Sequence, residues 1–374
     1  MRWERYLERW TSAGLIDHST ADRVRDYEAA QEKSLGLRWP VLLAIGLGGL
    51  LLGAGVLLFV AAHWDALSPA ERFGLVLLLV ALFHLTAALT TEPFPVLSTT
   101  LHAVGTICLG AGIFLAGQIF NLQEHWPGGV MLWALGAWIA WGFLRDWPQA
   151  ALVALLTPMW LSGEWLEATR GGVVSDKILV EGLLLLAISY LTALVPEKET
   201  SIRKALMWIG GLALLPLAAV VPSLPSSVPW QQLPLAESYR TFGWLAAFIL
   251  PLALACWMRG SAASMNLIAA VWVVMLGTTS HRFGPGQNLL PYAMWGLGSI
   301  GLIAWGLKEA RKERINLGVA GFALTVLAFY FSTVMDKLGR SASLIGLGLL
   351  FLLGGWLLEK MRRRLVARLE TAKA

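Results

Sequence analysis

Two short polar stretches interrupt an otherwise apolar sequence, and their side chains are suited to binding a polar ligand. Gln118 and Asn121 lie three residues apart, so they share one face if the stretch is helical. An amide in apolar surroundings needs a hydrogen-bond partner, so we expect this face to turn towards a bundle interior or a wet cavity. Histidine, arginine and carboxylate side chains accompany the amides. The predicted substrate-facing polar site comprises His63, Asp65, Arg72, Gln118, Asn121, Glu124 and His125.

Other chemistries are open to the same two stretches. The side chains of His63, Asp65, Glu124 and His125 would suit a divalent metal ion, but their spacing matches no defined metal motif. Tryptophan and histidine are also common at the ends of membrane spans, where they act as interfacial anchors. The sequence contains no G-x-S-x-G and no H-E-x-x-H motif, so no nucleophile or zinc-protease chemistry is indicated. We expect no metal, no cofactor and no catalytic residue, and the sequence favours a protein that is not an enzyme.

Two histidines form a second candidate site, on a different part of the chain. His84 and His102 are predicted to lie at similar depth in adjacent antiparallel helices, where their rings would meet across the hairpin. Such an intramembrane pair either relays protons or stabilises the hairpin through a hydrogen bond. The structural hydrogen bond is the favoured interpretation.

The composition identifies the environment in which these groups must work. The 374 residues are 57% hydrophobic and only 14% charged, whereas a soluble domain carries about 25% charged residues. This predicts an integral membrane protein with many spans. Cys108 and Cys256 both lie in apolar runs, which indicates buried thiols rather than a disulfide framework. Residues 1–38 are too polar to form a secretory signal peptide.

Twelve apolar runs are long enough, or nearly so, to cross a bilayer as helices. A spanning helix needs about 20 apolar residues, and helices are the fold that satisfies the backbone in lipid. The pair within 128–162 is separated only by the break "RDWPQ", so a re-entrant hairpin is an alternative there. The predicted spans are residues 39–61, 71–90, 98–120, 128–144, 147–162, 178–195, 203–222, 242–258, 262–280, 289–307, 315–335 and 341–358.

The distribution of basic residues predicts the orientation of this bundle. Placing the N-terminus in the cytoplasm puts most of the 29 lysines and arginines into cytoplasmic segments, as the positive-inside rule requires. The fold class is therefore an all-α polytopic bundle of about twelve transmembrane helices with both termini cytoplasmic. Residues 1–38 form a cytoplasmic amphipathic helical segment, residues 39–358 the transmembrane bundle, and residues 359–374 a basic cytoplasmic tail.

The segments outside the bundle indicate the partners. Trp3, Tyr6, Leu7 and Trp10 have helical spacing on one face, as in a helix that lies on a membrane surface. This segment either orients the first span or docks a cytoplasmic protein. The basic tail fits anionic lipid headgroups. The expected partners are thus membrane lipids and a cytoplasmic protein. We expect no nucleic acid, and the oligomeric state stays open.

Two motifs resemble a known family of bacterial multi-pass membrane proteins, catalogued as domain of unknown function 2157. They are "GAGVLLFVAAHWDALSPAERFGLVLLL" and "GAGIFLAGQIFNLQEHWPGGVMLWALGAW", and the resemblance extends over about residues 10–160. Residues 316–365 look like the C-terminal part of longer members. The family has no agreed activity, so the resemblance implies a bacterial inner membrane and assigns no site residue.

The sequence thus favours a transporter- or channel-like bundle whose polar site lies near the periplasmic face. The first alternative is a membrane scaffold or sensor that does not transport and docks a cytoplasmic partner through its N-terminal helices. A third interpretation is an intramembrane enzyme that acts on a lipid or on a periplasmic substrate. The sequence identifies neither the substrate nor the direction of any transport.

Overall fold

The structure is a computed structural model that describes most of the chain. The continuous described ranges are residues 2–35, 68–92, 94–119, 125–170, 172–195, 199–224, 235–279 and 289–334, with isolated positions between 47 and 58 and between 345 and 356. The predicted first and last spans and the basic tail therefore fall largely outside the described residues. So do His63, Asp65, Asn121 and Glu124 of the predicted polar site.

The regular elements in these ranges are helices. Short 3-10 turns follow the eighth and ninth helices, at Val221–Ser223 and Gly260–Ala263, and a π turn closes the last, at Tyr330–Val334. The helices are α1 Arg2–Ser12, α2 His18–Leu35, α3 Pro69–Leu89, α4 Pro95–Ile119, α5 Trp126–Leu144, α6 Trp147–Thr169, α7 Val173–Leu191, α8 Ser201–Val220, α9 Glu237–Arg259, α10 Ser264–Thr278, α11 Leu290–Lys308 and α12 Lys312–Phe329. They belong to two compact units, Met1–Cys108 and Leu109–Ala374, whose boundary falls within α4.

Seven of the described segments are long and apolar enough to cross a membrane. Large apolar side chains stay exposed on them, among them Phe143, Leu212 and Trp257, as expected of helices that face lipid. These segments support a multi-pass, all-helical membrane protein. The seven are Pro69–Leu89, Pro95–Gln118, Trp126–Leu144, Ser201–Ser223, Glu237–Thr278, Leu290–Lys308 and Lys312–Ser332.

Local capping explains where the helices begin and end. Ser68 caps α3 in a reciprocal arrangement, because its backbone N–H donates to Glu71 at 2.7 Å and its hydroxyl accepts from the Glu71 backbone. Arg145 ends α5 in the left-handed conformation, with φ 55°, and Asp146 then caps α6 by accepting from the Gln149 backbone at 3.1 Å. The break "RDWPQ" is thus a tight connection between two long helices. With 19 and 23 residues, they extend about 28 and 34 Å, enough for the hydrocarbon thickness of about 30 Å.

Helix α7 forms the centre of the larger unit. It packs against α6, α8, α9 and α10, and Leu184 and Leu185 on it are fully buried. Glycines permit the closest approaches. A Cβ on Gly210 of α8 would lie 2.3 Å from the carbonyl oxygen of Ala187. A Cβ on Gly182 would lie 2.9 Å from the Cβ and 3.1 Å from the Cα of Ala247 on α9. The backbones of three helices therefore meet at the glycines, as is usual in membrane bundles.

The N-terminal segment is helical, as its sequence pattern predicts. Helices α1 and α2 pack against each other, with Leu7 and Ala21 both only 3% exposed. Part of the apolar face of α1 is thus buried against α2. Trp10 of the same helix remains 44% exposed.

Candidate functional site

A large apolar groove runs between α6 and α9 in the larger unit. Its volume is about 1040 Å³, and its lining comes from α5 through α9, with α7 along the floor. From Ala150 to Ala168 the lining follows α6 for 18 residues, which corresponds to about 27 Å of helix. The groove is therefore nearly as long as the hydrocarbon part of a bilayer is thick.

Both walls of the groove are helices that contain a proline. Pro158 lies within α6 and Pro251 within α9, and each lines the groove. A proline inside a helix removes one N–H and leaves the carbonyl four residues earlier without its usual donor. For Pro158 that carbonyl belongs to Ala154, and it accepts from the Tyr190 hydroxyl at 3.1 Å. The floor helix thus supplies the hydrogen bond that the wall helix lacks, as a membrane helix requires.

This compensation gives a testable double-mutant cycle. Tyr190→Phe alone should lower stability by about 1 kcal/mol, because the Ala154 carbonyl loses its donor in a buried site. In a Pro158→Ala background, the new backbone N–H of residue 158 can donate to that carbonyl, so Tyr190→Phe should then cost little. Unfolding of the four proteins in the same detergent measures the coupling. An equal cost of Tyr190→Phe in both backgrounds would contradict the proposed compensation.

One end of the groove carries a carboxylate. Glu164 lines the groove and accepts from Trp160 Nε1 at 3.0 Å and from His125 Nε2 at 2.9 Å. The His125 and Glu164 side chains are 57% and 39% exposed, so this contact is solvated and adds little to stability. Beside it, Trp165 packs over Gly243 of α9, where a Cβ would lie 2.2 Å from the indole ring. His125 therefore contacts a groove-lining residue at this end but does not itself line the groove.

The opposite end carries hydrogen-bond donors. Arg203 of α8 lines the groove, and its two terminal nitrogens donate to the carbonyl of Ala193 at 2.7 Å and to that of Met258 at 2.9 Å. Trp141 also lines the groove, and its buried Nε1 has no acceptor among the described residues. Thr200, the N-cap of α8, is a third polar residue there.

The structure describes three of the seven residues of the predicted polar site. Gln118 is exposed at the end of α4, Arg72 is partly buried in the first turn of α3, and His125 bonds to Glu164. Arg72 belongs to the smaller unit and the other two to the larger one. The site as a whole remains a prediction. Among the described residues, no group of three or more potential ligands could hold a metal ion.

The two histidines of α3 and α4 meet across their hairpin. His84 Nδ1 and His102 Nδ1 lie 2.9 Å apart, and the ring centroids are 5.2 Å apart. Only one of the two nitrogens can carry the shared proton when both rings are neutral. Gly105 makes room for the pair, because a Cβ there would lie 2.8 Å from the His84 ring. The two rings therefore meet across the hairpin, and the structural and proton-relay roles of the pair both stay predictions.

Sequence reasoning missed a buried carboxylate on the floor helix. Glu181 is only 2% exposed, and its Oε1 has no hydrogen-bond partner among the described residues. Lys177 approaches that oxygen only to 4.0 Å. On the other side, Gly277 of α10 lies so close that a Cβ there would be 2.0 Å from Oε1. The available signal was a lone acid inside an apolar run, which in a membrane protein is a functional candidate by default.

Sequence reasoning also missed a buried ionic network at the C-terminal end of α7. Glu309 accepts from Arg259 at 2.6 Å through one oxygen and from Arg314 at 2.6 Å through the other. The same arginines donate to backbone carbonyls that follow α7, Arg259 to Thr192 at 2.6 Å and Arg314 to Leu194 at 3.3 Å. Burial raises the pKa of Glu309, but the hydrogen bonds and positive charge of both arginines outweigh it, so the pKa is lowered overall. The network thus ties α9, α11 and α12 to the negative end of the α7 dipole.

Residues 8–150 match the family model described as Predicted membrane protein (DUF2157). The resemblance seen in the sequence is thereby confirmed over this segment. Comparison with curated proteins and with solved structures yields no match. The matched segment ends four residues into α6, so most of the groove lies in the part of the chain beyond it.

Proposed function

We propose that this DUF2157-like membrane protein is a transporter-like carrier whose substrate is an amphipathic, largely apolar molecule held in the groove. The observation that carries the proposal is a long apolar groove between two continuous helices that each contain a proline. A mostly apolar pocket with a few polar groups at its ends is the usual form of a small-molecule site.

The proposal includes the twelve-span topology with both termini in the cytoplasm of a bacterial cell. Support comes from three arginines, one at or beside each of the connections α7–α8, α9–α10 and α11–α12. They contact residues that follow the C-terminal end of α7: Arg203 contacts Ala193, Arg259 contacts Thr192 and Arg311 contacts Glu199. A cluster of basic residues at one membrane face is typical of the cytoplasmic side. The lengths of α5 and α6 favour two full spans over a re-entrant hairpin. The protein would then lie in the inner membrane, with the Glu164 end of the groove towards the periplasm.

The polar site predicted near the periplasmic face fits this arrangement. His125 and Glu164 would form its inner part, at the mouth of the groove. The other residues of the predicted polar site, His63, Asp65, Arg72, Gln118, Asn121 and Glu124, stay a prediction from the sequence. The site would receive the polar part of a molecule that enters or leaves the groove on that side.

A substitution that fills the groove with a large side chain tests the carrier function. Ala246 of α9 lines the groove, so Ala246→Trp should fill it and stop transport. Leu245→Trp is the matched control, because Leu245 is 53% exposed and is not among the residues that line the groove. The assay reconstitutes each protein in vesicles that contain a fluorescent short-chain phospholipid and measures how much of the inner-leaflet probe becomes accessible to dithionite.

The expected result is rapid probe movement with the wild type and Leu245→Trp, and movement at the protein-free rate with Ala246→Trp. Ser162→Trp, on the opposite wall, is a second plug in case the first variant unfolds. Equal movement by a folded plug variant and the wild type would show that the groove is not the transport path. Movement at the protein-free rate with the wild type would contradict the carrier proposal for phospholipid-like molecules.

A further inference from the structure

We propose that the groove is selective for an anionic membrane phospholipid, whose hydrocarbon chains lie along α6 and α9 and whose headgroup phosphate binds at Arg203 and Trp141. This inference deepens the proposed carrier function and rests on the same groove. Three independent features carry it: the charge at the two ends, an unused donor, and the lateral opening of the groove.

The two ends of the groove differ in charge. Among the described residues, no carboxylate forms an ion pair with Arg203, whose hydrogen bonds go to backbone carbonyls. Arg259 is nearby but is paired with Glu309 at 2.6 Å, so the positive charge at this end comes from Arg203. Glu164 is the one carboxylate among the groove-lining residues that the structure describes, and it lies at the other end. An amphipathic anion therefore has one favourable orientation, with its charge towards Arg203.

The positive end also offers a hydrogen-bond donor that the protein does not use. Trp141 Nε1 is buried and faces no acceptor among the described residues. Indole N–H groups of buried tryptophans usually find a partner, and an unpaired buried donor is costly. A phosphate oxygen at this end would accept from Trp141 while the phosphate charge interacts with Arg203. Arginine is well suited to phosphate oxygens, because its donors form a planar fork.

The groove opens sideways towards the hydrocarbon rather than only towards water. Three apolar residues that line it, Phe242 at 67%, Leu250 at 54% and Trp257 at 79%, are strongly exposed and are spread along α9, which belongs to a candidate membrane span. Such residues face lipid chains in a spanning helix. A ligand can therefore enter from the bilayer itself, where phospholipids are the abundant amphiphiles. This favours a membrane lipid over a free fatty acid as the occupant.

The test is lipid binding by the purified full-length protein in detergent, measured by native mass spectrometry. The probes are dioleoylphosphatidylglycerol, dioleoylphosphatidylcholine and oleate. The wild type should bind the anionic phospholipid about tenfold more tightly than the zwitterionic one, the size expected for a hydrogen-bonded charge. Arg203→Gln should remove most of that preference. Lys204→Gln is the matched control, because Lys204 carries the same charge on the next residue, is exposed, and does not line the groove.

Two further variants keep the test decisive if Arg203→Gln unfolds. Arg203→Lys retains the charge and should retain the preference in part. Trp141→Phe removes the donor but keeps the ring, and it should weaken binding of both phospholipids, because both carry the phosphate that would accept from Trp141. Equal binding of the two phospholipids, an unchanged preference in folded Arg203→Gln, or tighter binding of oleate would overturn the inference.

Failure of this inference can be told apart from failure of the carrier proposal. If both phospholipids bind equally but Ala246→Trp blocks both, the groove is the binding site and the headgroup selectivity is wrong. If Ala246→Trp binds both lipids as the wild type does, the groove is not the site, and both proposals fall.

Discussion

Glu309→Gln should lower the free energy of unfolding by about 3–5 kcal/mol, the range for a buried ion pair that loses one partner. The side chains of Arg259 and Arg314 are 0% and 2% exposed, and Glu309 is the carboxylate that contacts both. With glutamine in its place, two guanidinium groups would remain buried without a countercharge. Thermal or SDS unfolding of the purified protein in detergent measures the effect.

The control is Glu313→Gln, which removes an exposed carboxylate from the first turn of α12 and should change stability little.

The pH dependence of the free energy of unfolding gives a second, independent test of the network. Because the pKa of Glu309 is lowered from 4.5 by its arginine partners, the stability that it contributes is present above about pH 4.5. That stability is lost as the pH falls through the lowered pKa of the folded state. Glu309→Gln should abolish this part of the acid sensitivity. An equally acid-sensitive variant, or equal effects of both substitutions, would mean that the network does not hold the bundle together.

Gly210→Ala should destabilise the bundle by about 1–3 kcal/mol or more, as overpacking of a close helix contact does. The new Cβ would lie 2.3 Å from the Ala187 carbonyl oxygen and 2.4 Å from the Leu191 backbone nitrogen. Both atoms belong to the backbone of α7, so no side chain can move aside to make room. Helices α7 and α8 would have to separate at the centre of the larger unit. The measurement is again unfolding in detergent.

The neighbouring glycine provides the matched control. A Cβ on Gly211 would meet nothing nearer than the Leu191 side chain at 3.7 Å, an ordinary contact. Gly211→Ala should therefore be neutral or slightly stabilising, since alanine favours a helix over glycine by about 1 kcal/mol. Similar stabilities for the two alanine variants would contradict the close approach of α7 and α8 at Gly210.

Sequence analysis predicted local structure well because its determinants are local. Each of the seven segments suited to crossing a membrane coincides with a predicted apolar run, but the predicted spans 147–162 and 178–195 are not among them, and 242–258 and 262–280 fall within one segment. The helix break at Arg145 and Asp146 was visible in "RDWPQ". The contact of His84 with His102 followed from placing two histidines at equal depth in neighbouring spans. Each of these inferences needs only the helix period and the thickness of a bilayer.

The groove and the ionic network were missed because they depend on helix packing. Arg259 and Glu309 are 50 residues apart, and Arg314 reaches a carbonyl 120 residues away. Pro158 and Pro251 are visible in the sequence, but nothing there indicates that their helices face each other across α7. The clustered polar residues around Gln118 form a local pattern that is visible in the sequence. Of these, His125 contacts the groove-lining Glu164, which comes from another helix.

The central claim is that a phospholipid occupies the groove between α6 and α9, and cryo-electron microscopy in lipid nanodiscs tests it most directly. The nanodiscs should contain phosphatidylglycerol and phosphatidylcholine. We expect elongated density along the groove, with a headgroup feature next to Arg203 and Trp141. A groove closed by direct packing of α6 against α9, or one without ordered density while lipid is resolved elsewhere around the bundle, would contradict the claim.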